Sequence, residues 1–182
     1  MAGAWSARLA GVTRRGGSLP LSMWSRIDQE SYMRQVSKLL RAQGVTIEGM
    51  PLFVAPDLRV DRLGGVTLGD RCVISTGVSI LTHDYSLDRY AEMHGLIPAD
   101  EEIVLQAPVR IGAYAFIGMD AMIMPGVTVG DGAIVGARSL VTRDVEPGSV
   151  VGGVPAKAIT TAAEAYEKAM ASGAWKRQKR PY

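Results

Sequence analysis

The chain contains two histidines, His83 and His94, which are the residues best suited to acid–base chemistry near neutral pH. Both lie within residues 81–104, a stretch with six carboxylates and one arginine. Imidazole titrates near neutral pH without help from its surroundings, so such a histidine can take a proton from a hydroxyl or an amine. The stretch is therefore the first candidate for a catalytic site, and a structural element must hold it in place.

The sequence between positions 105 and 145 indicates what this element is, because similar residues recur there at a strict interval of six. Aliphatic residues recur at every sixth position, and a small or short-branched residue stands four places after each one. The aliphatic series is Leu105, Ile111, Ile117, Ile123, Val129, Val135 and Val141. The second series is Val109, Ala115, Ala121, Val127, Ala133, Ser139 and Val145. A period of six fits neither a helix nor an alternating strand, and it predicts a parallel β-helix with both series pointing inward.

The same interval is present upstream of the histidines. Leu68, Ile74 and Ile80 continue the aliphatic series, and the short series comprises Val54, Val60, Val66, Cys72 and Val78. Earlier aliphatic positions hold Met50, Pro56 and Arg62, as expected for atypical terminal repeats. Between Ile80 and Leu105 the pattern breaks and returns one residue out of phase. This predicts a protruding loop over residues 81–104, and loops of that length are usually functional or disordered.

Composition agrees with a narrow core and argues against several classes of protein. The 182 residues are 47% hydrophobic but only 6% aromatic, which suits slim aliphatic side chains. A net charge of +2 does not indicate a nucleic-acid binder, and no stretch approaches the ~20 apolar residues of a membrane span. The single cysteine, Cys72, excludes an intrachain disulfide and a cysteine-cluster metal site. Its inward position predicts a packing role.

The sequence predicts four segments along the chain. They are a disordered leader (1–21), a capping helix (22–44), the β-helix with its protruding loop (45–159), and a C-terminal helix with a basic tail (160–182). The leader lacks the apolar run of a signal peptide, and the simplest interpretation is a cytoplasmic protein.

Both helices carry end signals. The first is predicted to start at Ser25 and stop at Gly44, and its apolar stripe is Tyr32, Met33, Val36, Leu39 and Leu40. The second is predicted over residues 162–171, because Thr161 and Glu164 form a capping box.

Several sequence motifs are more specific than the six-residue interval alone. Those within the repeats are PVRIG (108–112), FIGM (116–119), MPGVTVGD (124–131), IVGA (134–137), SLVT (139–142) and GGVPAK (152–157). Together they resemble the hexapeptide-repeat acyltransferases, and among these the sugar and polysaccharide O-acetyltransferases such as the galactoside and maltose enzymes. ILTHD (80–84) resembles the catalytic histidine segment of that family, and the likeness covers roughly residues 44–159.

The resemblance implies an all-β protein, a left-handed parallel β-helix that assembles as a homotrimer. It implies acetyl-CoA in a groove between subunits and no metal ion. It also implies that His83 acts as general base, so that an acetyl group passes directly to a hydroxyl of a sugar or glycoconjugate. The positions that correspond to coenzyme contacts are Gly118, Met119, Gly136, Ala137, Thr142, Arg143 and Lys157, with Arg138 as a possible addition.

The chain departs from the family pattern at positions that bear on the coenzyme and the acceptor. Met119 replaces a serine that is common in the galactoside-type enzymes. Ala55 and Asp57 stand near positions where those enzymes often have acceptor-binding asparagines, so Asp57 is predicted to contact the acceptor. Asp84 and His94 are further predicted acceptor contacts. Asp84 and Asp88 are the candidates, by proximity in sequence, to orient the His83 ring.

Four other functions are compatible with a repeat pattern of this kind, and the sequence disfavours some of them. A zinc carbonic anhydrase needs three histidine ligands and the chain has two. Serine acetyltransferases carry a much longer helical N-terminal domain. An N-acetyltransferase acting on an amino sugar or an antibiotic stays open, because a loop histidine serves amines and hydroxyls alike. A non-catalytic β-helix scaffold is the remaining alternative.

Overall fold

The computed structural model describes residues 12–14, 17–19 and 29–178. Within them it contains three helices, α1 (Gln29–Ala42), α2 (Ser86–Met93) and α3 (Ala162–Ala171). The strands are β1 (Val12–Arg14), β2 (Gly17–Leu19), β3 (Thr46–Ile47), β4 (Phe53–Val54), β5 (Arg59–Val60), β6 (Val66–Leu68), β7 (Val73–Ile74), β8 (Ser79–Ile80), β9 (His83–Asp84), β10 (Leu105–Gln106), β11 (Val109–Ile111), β12 (Phe116–Ile117), β13 (Met122–Ile123), β14 (Thr128–Val129), β15 (Ile134–Val135), β16 (Leu140–Val141), β17 (Ser149–Gly153) and β18 (Ala156–Thr161).

Short strands step around three parallel sheets, which form the faces of a β-helix. Face 1 contains β3, β6, β11 and β14; face 2 contains β4, β7, β12, β15 and β17; face 3 contains β5, β8, β13 and β16. Equivalent residues stack from coil to coil, so that Ile117 pairs with Ile74 on one side and with Val135 on the other. Face 2 ends where β18 folds back antiparallel on β17. This architecture confirms the predicted parallel β-helix.

The core consists of the two predicted inward series. From Val66 to Val145 every member except Leu105 is at most 5% exposed. Leu105 is 53% exposed, so its predicted inward position is wrong. The reason is that β10 does not belong to a coil but pairs antiparallel with β9. Cys72 is fully buried, as its predicted packing role requires, and burial raises the pKa of its thiol to about 12.

The stacked aliphatic column should carry much of the stability. Ile117 is fully buried in the middle of face 2, so Ile117→Ala is expected to lower the free energy of unfolding by about 2–5 kcal/mol. The matched control is Ile159→Ala, which removes the same atoms from a side chain that is 67% exposed and should cost less than about 0.5 kcal/mol. Urea denaturation measures both, and equal losses would contradict this description of the core.

Helix α1 contacts the first strands of the β-helix, and helix α3 contacts its last strands, β17 and β18, without burying any of its own residues. Helix α1 packs on β3 and β4, and the Tyr32 hydroxyl donates to the Val54 carbonyl oxygen at 2.6 Å. The predicted start at Ser25 lies outside the described residues, and Gly44, just beyond the helix, has a φ of +88°. Helix α3 begins with the predicted capping box of Thr161 and Glu164.

Most of the leader lies outside the described residues, which include β1 and β2 as an antiparallel pair. Residues 179–182 of the basic tail also lie outside them. None of the helices in the described ranges is long and apolar enough to cross a membrane.

The protruding segment is more ordered than a loop. It leaves the β-helix on β9, forms α2, and returns on β10; we call residues 83–106 the arm. Helix α2 was not predicted, because its apolar side chains do not form a stripe that faces a core. Leu87, Tyr90 and Met93 are 71%, 57% and 73% exposed.

Candidate active site

His83 lies at the base of the arm, three residues after face 3 ends at Ile80. The preceding residue, Thr82, is fully buried and anchors this point. Its carbonyl oxygen accepts the N–H of Ala107 at 2.9 Å, which joins the outgoing and returning chains. Gly64 packs beneath the junction, and a Cβ there would lie 2.5 Å from the Thr82 carbonyl oxygen. The backbone thus fixes the position from which the His83 side chain projects.

Asp61 holds the His83 ring. Its Oδ2 atom is in hydrogen-bond contact with His83 Nδ1 and also accepts the Thr82 N–H at 2.8 Å and the Thr82 hydroxyl at 3.0 Å. The side chains of His83 and Asp61 are 16% and 10% exposed. A carboxylate that contacts Nδ1 fixes both the orientation and the tautomer of an imidazole. We call Asp61, Thr82 and His83 the histidine cluster.

The hydrogen bonds keep Asp61 ionised. Partial burial acts to raise its pKa, but the Thr82 N–H, the His83 ring and the Thr82 hydroxyl together hold the pKa below its usual value of 3.8. An ionised carboxylate at this place favours a hydrogen on Nδ1, which leaves Nε2 as the nitrogen able to accept a proton.

Neither sequence candidate for the orienting residue, Asp84 or Asp88, is hydrogen-bonded to the His83 ring among the described residues, and the carboxylate that is bonded to it belongs to Asp61. Asp84 accepts the Ser86 N–H at 2.7 Å, and Asp88 binds Arg89 and the Ile103 N–H. Proximity in sequence misled the prediction, because the true partner is one coil away. The repeat register contained the necessary signal: Val60 pairs with Ile80, so residues that follow Val60 lie next to residues that follow Ile80.

A pocket of about 450 Å³ opens in the arm. It is lined by Asp84, Ser86, Leu87, Ile103, Val104 and Leu105. Leu105 pairs with Asp84 and Gln106 pairs with His83, and successive side chains of a strand point to opposite faces, so the pocket residues Asp84 and Leu105 lie on the other face of the β9–β10 pair from His83. The walls are mostly apolar, and the predicted acceptor contact Asp84 contributes a carboxylate.

The other two predicted acceptor contacts do not join the histidine cluster either. His94 follows the last residue of α2, is exposed, and has its ring centroid 4.3 Å from that of Tyr90. Asp57 lies on a different edge of the β-helix, where it accepts the Gly77 N–H at 3.1 Å. Its described contact is therefore with the next coil.

The residues that correspond to coenzyme contacts fall on two edges. The edge between faces 2 and 3, which we call the small-residue edge, comprises residues 55–58, 75–78, 118–121 and 136–139. It includes Gly118, Met119, Gly136 and Ala137. The edge between faces 3 and 1, which we call the histidine edge, comprises residues 61–65, 81–83, 124–127 and 142–144. It includes Thr142 and Arg143, which are exposed.

Stacking accounts for the glycine at position 118. A Cβ there would lie 2.5 Å from the Ala137 backbone nitrogen, so the close approach of successive coils excludes any larger residue. Met119 and Ala137 are exposed on the outside of the same edge, where Arg138 N–H donates to the Met119 carbonyl oxygen at 2.7 Å. The result is a groove wall of backbone and small side chains.

Two cations lie at the small-residue edge. Lys157 is exposed on β18 and pairs with Gly152, which adjoins Gly136. Arg138 is exposed and lies 3.6 Å from the Asp120 carboxylate. A thin wall with cationic side chains fits a long ligand that carries phosphates. In the part of the chain that the structure describes, no group of three or more histidine, cysteine or acidic side chains could hold a metal ion.

Comparison with known proteins agrees with this geometry. Residues 108–143 match the family described as bacterial transferase hexapeptide (six repeats), and residues 60–82 match the hexapeptide repeat of succinyl-transferase. A chloramphenicol acetyltransferase of Morganella morganii is 59% identical over 118 residues, which cover 59% of this chain and 55% of that protein. Galactoside O-acetyltransferase of Escherichia coli (strain K12) is 36% identical over 98 residues, which cover 52% and 43%.

A solved structure shares the fold. Galactoside acetyltransferase in complex with coenzyme A superposes with a TM-score of 0.56 at 20% identity, covering 89% of this chain and 83% of that one. Each of the first three curated relatives is matched over 55–60% of its length. These findings confirm the predicted resemblance to the hexapeptide-repeat acyltransferases.

Proposed function

We propose that this chain, which resembles the hexapeptide-repeat acetyltransferases, transfers an acetyl group from acetyl-CoA to a hydroxyl of a sugar or glycoconjugate. The observation that carries the proposal is the histidine cluster at the base of the arm. A scaffold has no need of a carboxylate that fixes the tautomer of a partly exposed imidazole.

The chemistry follows from the two ring nitrogens. His83 Nδ1–H donates to Asp61, so Nε2 takes the proton of the acceptor hydroxyl as its oxygen attacks the thioester carbonyl carbon. The new C–O ester bond forms, the C–S bond breaks, and the proton leaves His83 for the sulfur, which gives free coenzyme A. No enzyme nucleophile is required, and Cys72 is buried away from the surface.

Lys157 and Arg143 are proposed to bind the coenzyme phosphates, and Arg138 can assist. Gly118, Met119, Gly136 and Ala137 are proposed to line the path of the pantetheine arm, with Thr142 as a polar contact. Asp84, Asp57 and His94 remain predicted acceptor contacts that require a neighbouring subunit or a large acceptor. A cytoplasmic location also remains a prediction.

A second candidate acceptor class is an apolar antibiotic. The observation that favours this class is the Morganella relative, a chloramphenicol acetyltransferase that is 59% identical over 118 residues. Chloramphenicol and an amino sugar therefore belong beside sugars in any acceptor screen. N-acetylation is established if the amino sugar yields a product with the acetyl group on its nitrogen.

Coenzyme binding distinguishes an enzyme from a scaffold. Acetyl-CoA at ~100 times its dissociation constant is expected to stabilise the folded chain by ~2.7 kcal/mol. Thermal denaturation with acetyl-CoA, with succinyl-CoA and without ligand measures this effect. The absence of a shift with any acyl-CoA would favour the scaffold and contradict the proposal.

We also propose that the coils are left-handed and that three chains assemble so that the histidine edge of one faces the small-residue edge of the next. This arrangement is supported by the distribution of the site residues, which flank face 3 on opposite edges of one chain. A closed ring would bring the two edges together.

Mixing two inactive variants tests the shared site. His83→Ala removes the base from one edge, and an Ala137→Trp/Lys157→Glu double variant blocks the other. If three copies assemble at random from equal amounts, about a quarter of the sites combine an intact edge from each parent. Co-expressed variants should then recover about a quarter of wild-type activity. Co-purification of two different tags verifies that mixed assemblies have formed. If such mixed assemblies are inactive, the whole site lies within one chain.

A further inference from the structure

Tyr85 lies against the ring of His83, two residues before it in the chain. The two ring centroids are 5.2 Å apart and the ring planes meet at 74°, the edge-to-face arrangement that aromatic rings favour. Tyr85 is 37% exposed, and its hydroxyl makes no hydrogen bond with another described residue. Because the two rings are in contact, a molecule that lies on the open part of Tyr85 is also next to the imidazole.

Gln106 lies on the same side of the arm as the His83 ring. It pairs with His83 across β9 and β10, and the side chains of two directly paired residues project to one face. The neighbouring pair, Asp84 and Leu105, projects to the opposite face, where the arm pocket opens. Gln106 is exposed, and its amide is not hydrogen-bonded to any other described residue. The amide therefore offers both a donor and an acceptor beside the base.

The other sides of the imidazole are covered. Nδ1 is in contact with Asp61, and only 16% of the His83 side chain is exposed. Within the described residues Nε2 has no hydrogen-bond partner. An acceptor therefore reaches Nε2 from the face of the β9–β10 pair that carries Tyr85 and Gln106. An aromatic ring, an amide and an imidazole border one space there, and such a convergence of an apolar surface with a few polar groups is typical of a ligand site.

We propose that Tyr85 and Gln106 form the acceptor subsite and that the acceptor is a pyranose with two neighbouring hydroxyls. This inference rests on the proposed acetyl transfer. The C–H face of the sugar would stack on Tyr85, and one hydroxyl would bond to the Gln106 amide. The neighbouring hydroxyl would give its proton to His83 Nε2 as its oxygen attacks the thioester carbon. The C–S bond then breaks, and the proton passes from His83 to the sulfur of coenzyme A.

Kinetics with methyl galactoside and methyl glucoside test the subsite. Tyr85→Ala is expected to raise the acceptor KM by about tenfold, because the stacking surface is lost, whereas Tyr85→Phe keeps the ring and should stay within about threefold of wild type. Gln106→Ala should raise the acceptor KM by about three- to tenfold. In all three variants kcat should stay within about threefold of wild type, since Asp61 still holds the His83 ring. The KM of acetyl-CoA should be unchanged.

Two other residues of the arm provide matched controls. Tyr90→Ala removes the same type of side chain from a position that is 57% exposed, where the ring packs on His94 and not on His83. Leu105→Ala alters the residue before Gln106, whose side chain lies on the opposite face of the strand pair. Both variants should retain the wild-type acceptor KM.

Deoxygenated acceptors identify the hydroxyl that Gln106 binds. Analogues of the methyl glycoside that each lack one ring hydroxyl are compared in wild type and Gln106→Ala. One analogue should lose about three- to tenfold in kcat/KM with the wild type and nothing further with Gln106→Ala, because either change removes the same hydrogen bond. Additive losses with every analogue would overturn the Gln106 contact.

The outcomes separate the subsite from the proposed function. An unchanged acceptor KM in Tyr85→Ala or in Gln106→Ala overturns the subsite and leaves acetyl transfer standing. A fall in kcat with no change in acceptor KM also overturns it, because that result indicates that these residues only support the fold or the base. Wild-type transfer to chloramphenicol but to neither glycoside overturns the pyranose assignment. A wild-type chain that acetylates no acceptor overturns the proposed function, and this inference with it.

Discussion

Replacing His83 by alanine is expected to lower kcat at least ~10²-fold, because a positioned general base contributes about 10²–10⁴-fold to a proton-transfer step. Acetyl-CoA binding should be nearly unchanged, since none of the residues proposed to bind its phosphates contacts His83. The measurement is steady-state transfer from labelled acetyl-CoA, accompanied by thermal denaturation with and without the coenzyme.

The other histidine provides the control for this experiment. His94→Ala removes an imidazole from the same arm, yet His94 packs on Tyr90 and belongs to no described contact with Asp61. Its kcat should stay within about threefold of wild type, whereas an acceptor contact would appear as a higher acceptor KM. Full activity of His83→Ala would remove His83 from the mechanism.

The second large effect is expected at Asp61. Asp61→Asn should lower kcat by about 10²-fold or more, because an amide can present a donor where the ring needs an acceptor and can stabilise the wrong tautomer. The substitution changes the shape of the side chain very little, so the Thr82 anchor should be weakened but not lost. We expect the KM of acetyl-CoA to be unchanged.

A neighbouring carboxylate controls for loss of charge at this edge. Asp144 also lies on the histidine edge, and its Oδ1 accepts the Thr128 N–H at 2.7 Å. Asp144→Asn should therefore cost some stability and little activity. If Asp61→Asn and Asp144→Asn lower kcat equally, Asp61 acts only through the fold and the assignment of an orienting carboxylate fails.

The repeats could be predicted from sequence because one physical constraint acts on every coil. Stacked coils must bury one large and one small side chain per face, so the interval of six survives in the residues themselves. The start of α3 could also be predicted from sequence, because the capping box of Thr161 and Glu164 is formed within four consecutive residues.

The candidate site was predictable only in part. His83 could be predicted because it lies in the segment ILTHD (80–84), which resembles the catalytic histidine segment of the family, but Asp61 could not, because the bond joins residues 22 positions apart. Helix α2 was missed because its stability does not depend on a buried apolar stripe. Its attachment depends instead on Asp88, whose partner Ile103 is 15 residues away. Interactions between separate coils or across an inserted arm leave no local pattern.

The most direct test of the proposed function is transfer of a labelled acetyl group from acetyl-CoA to hydroxyl acceptors. The acceptors are galactosides, maltose and chloramphenicol, with wild type and His83→Ala measured side by side. We predict an O-acetylated product with at least one acceptor, formed at a rate that falls ~10²-fold or more in His83→Ala. The proposed function would be contradicted if the wild-type chain released no coenzyme A above background with any acceptor. It would also be contradicted if product formation did not depend on His83.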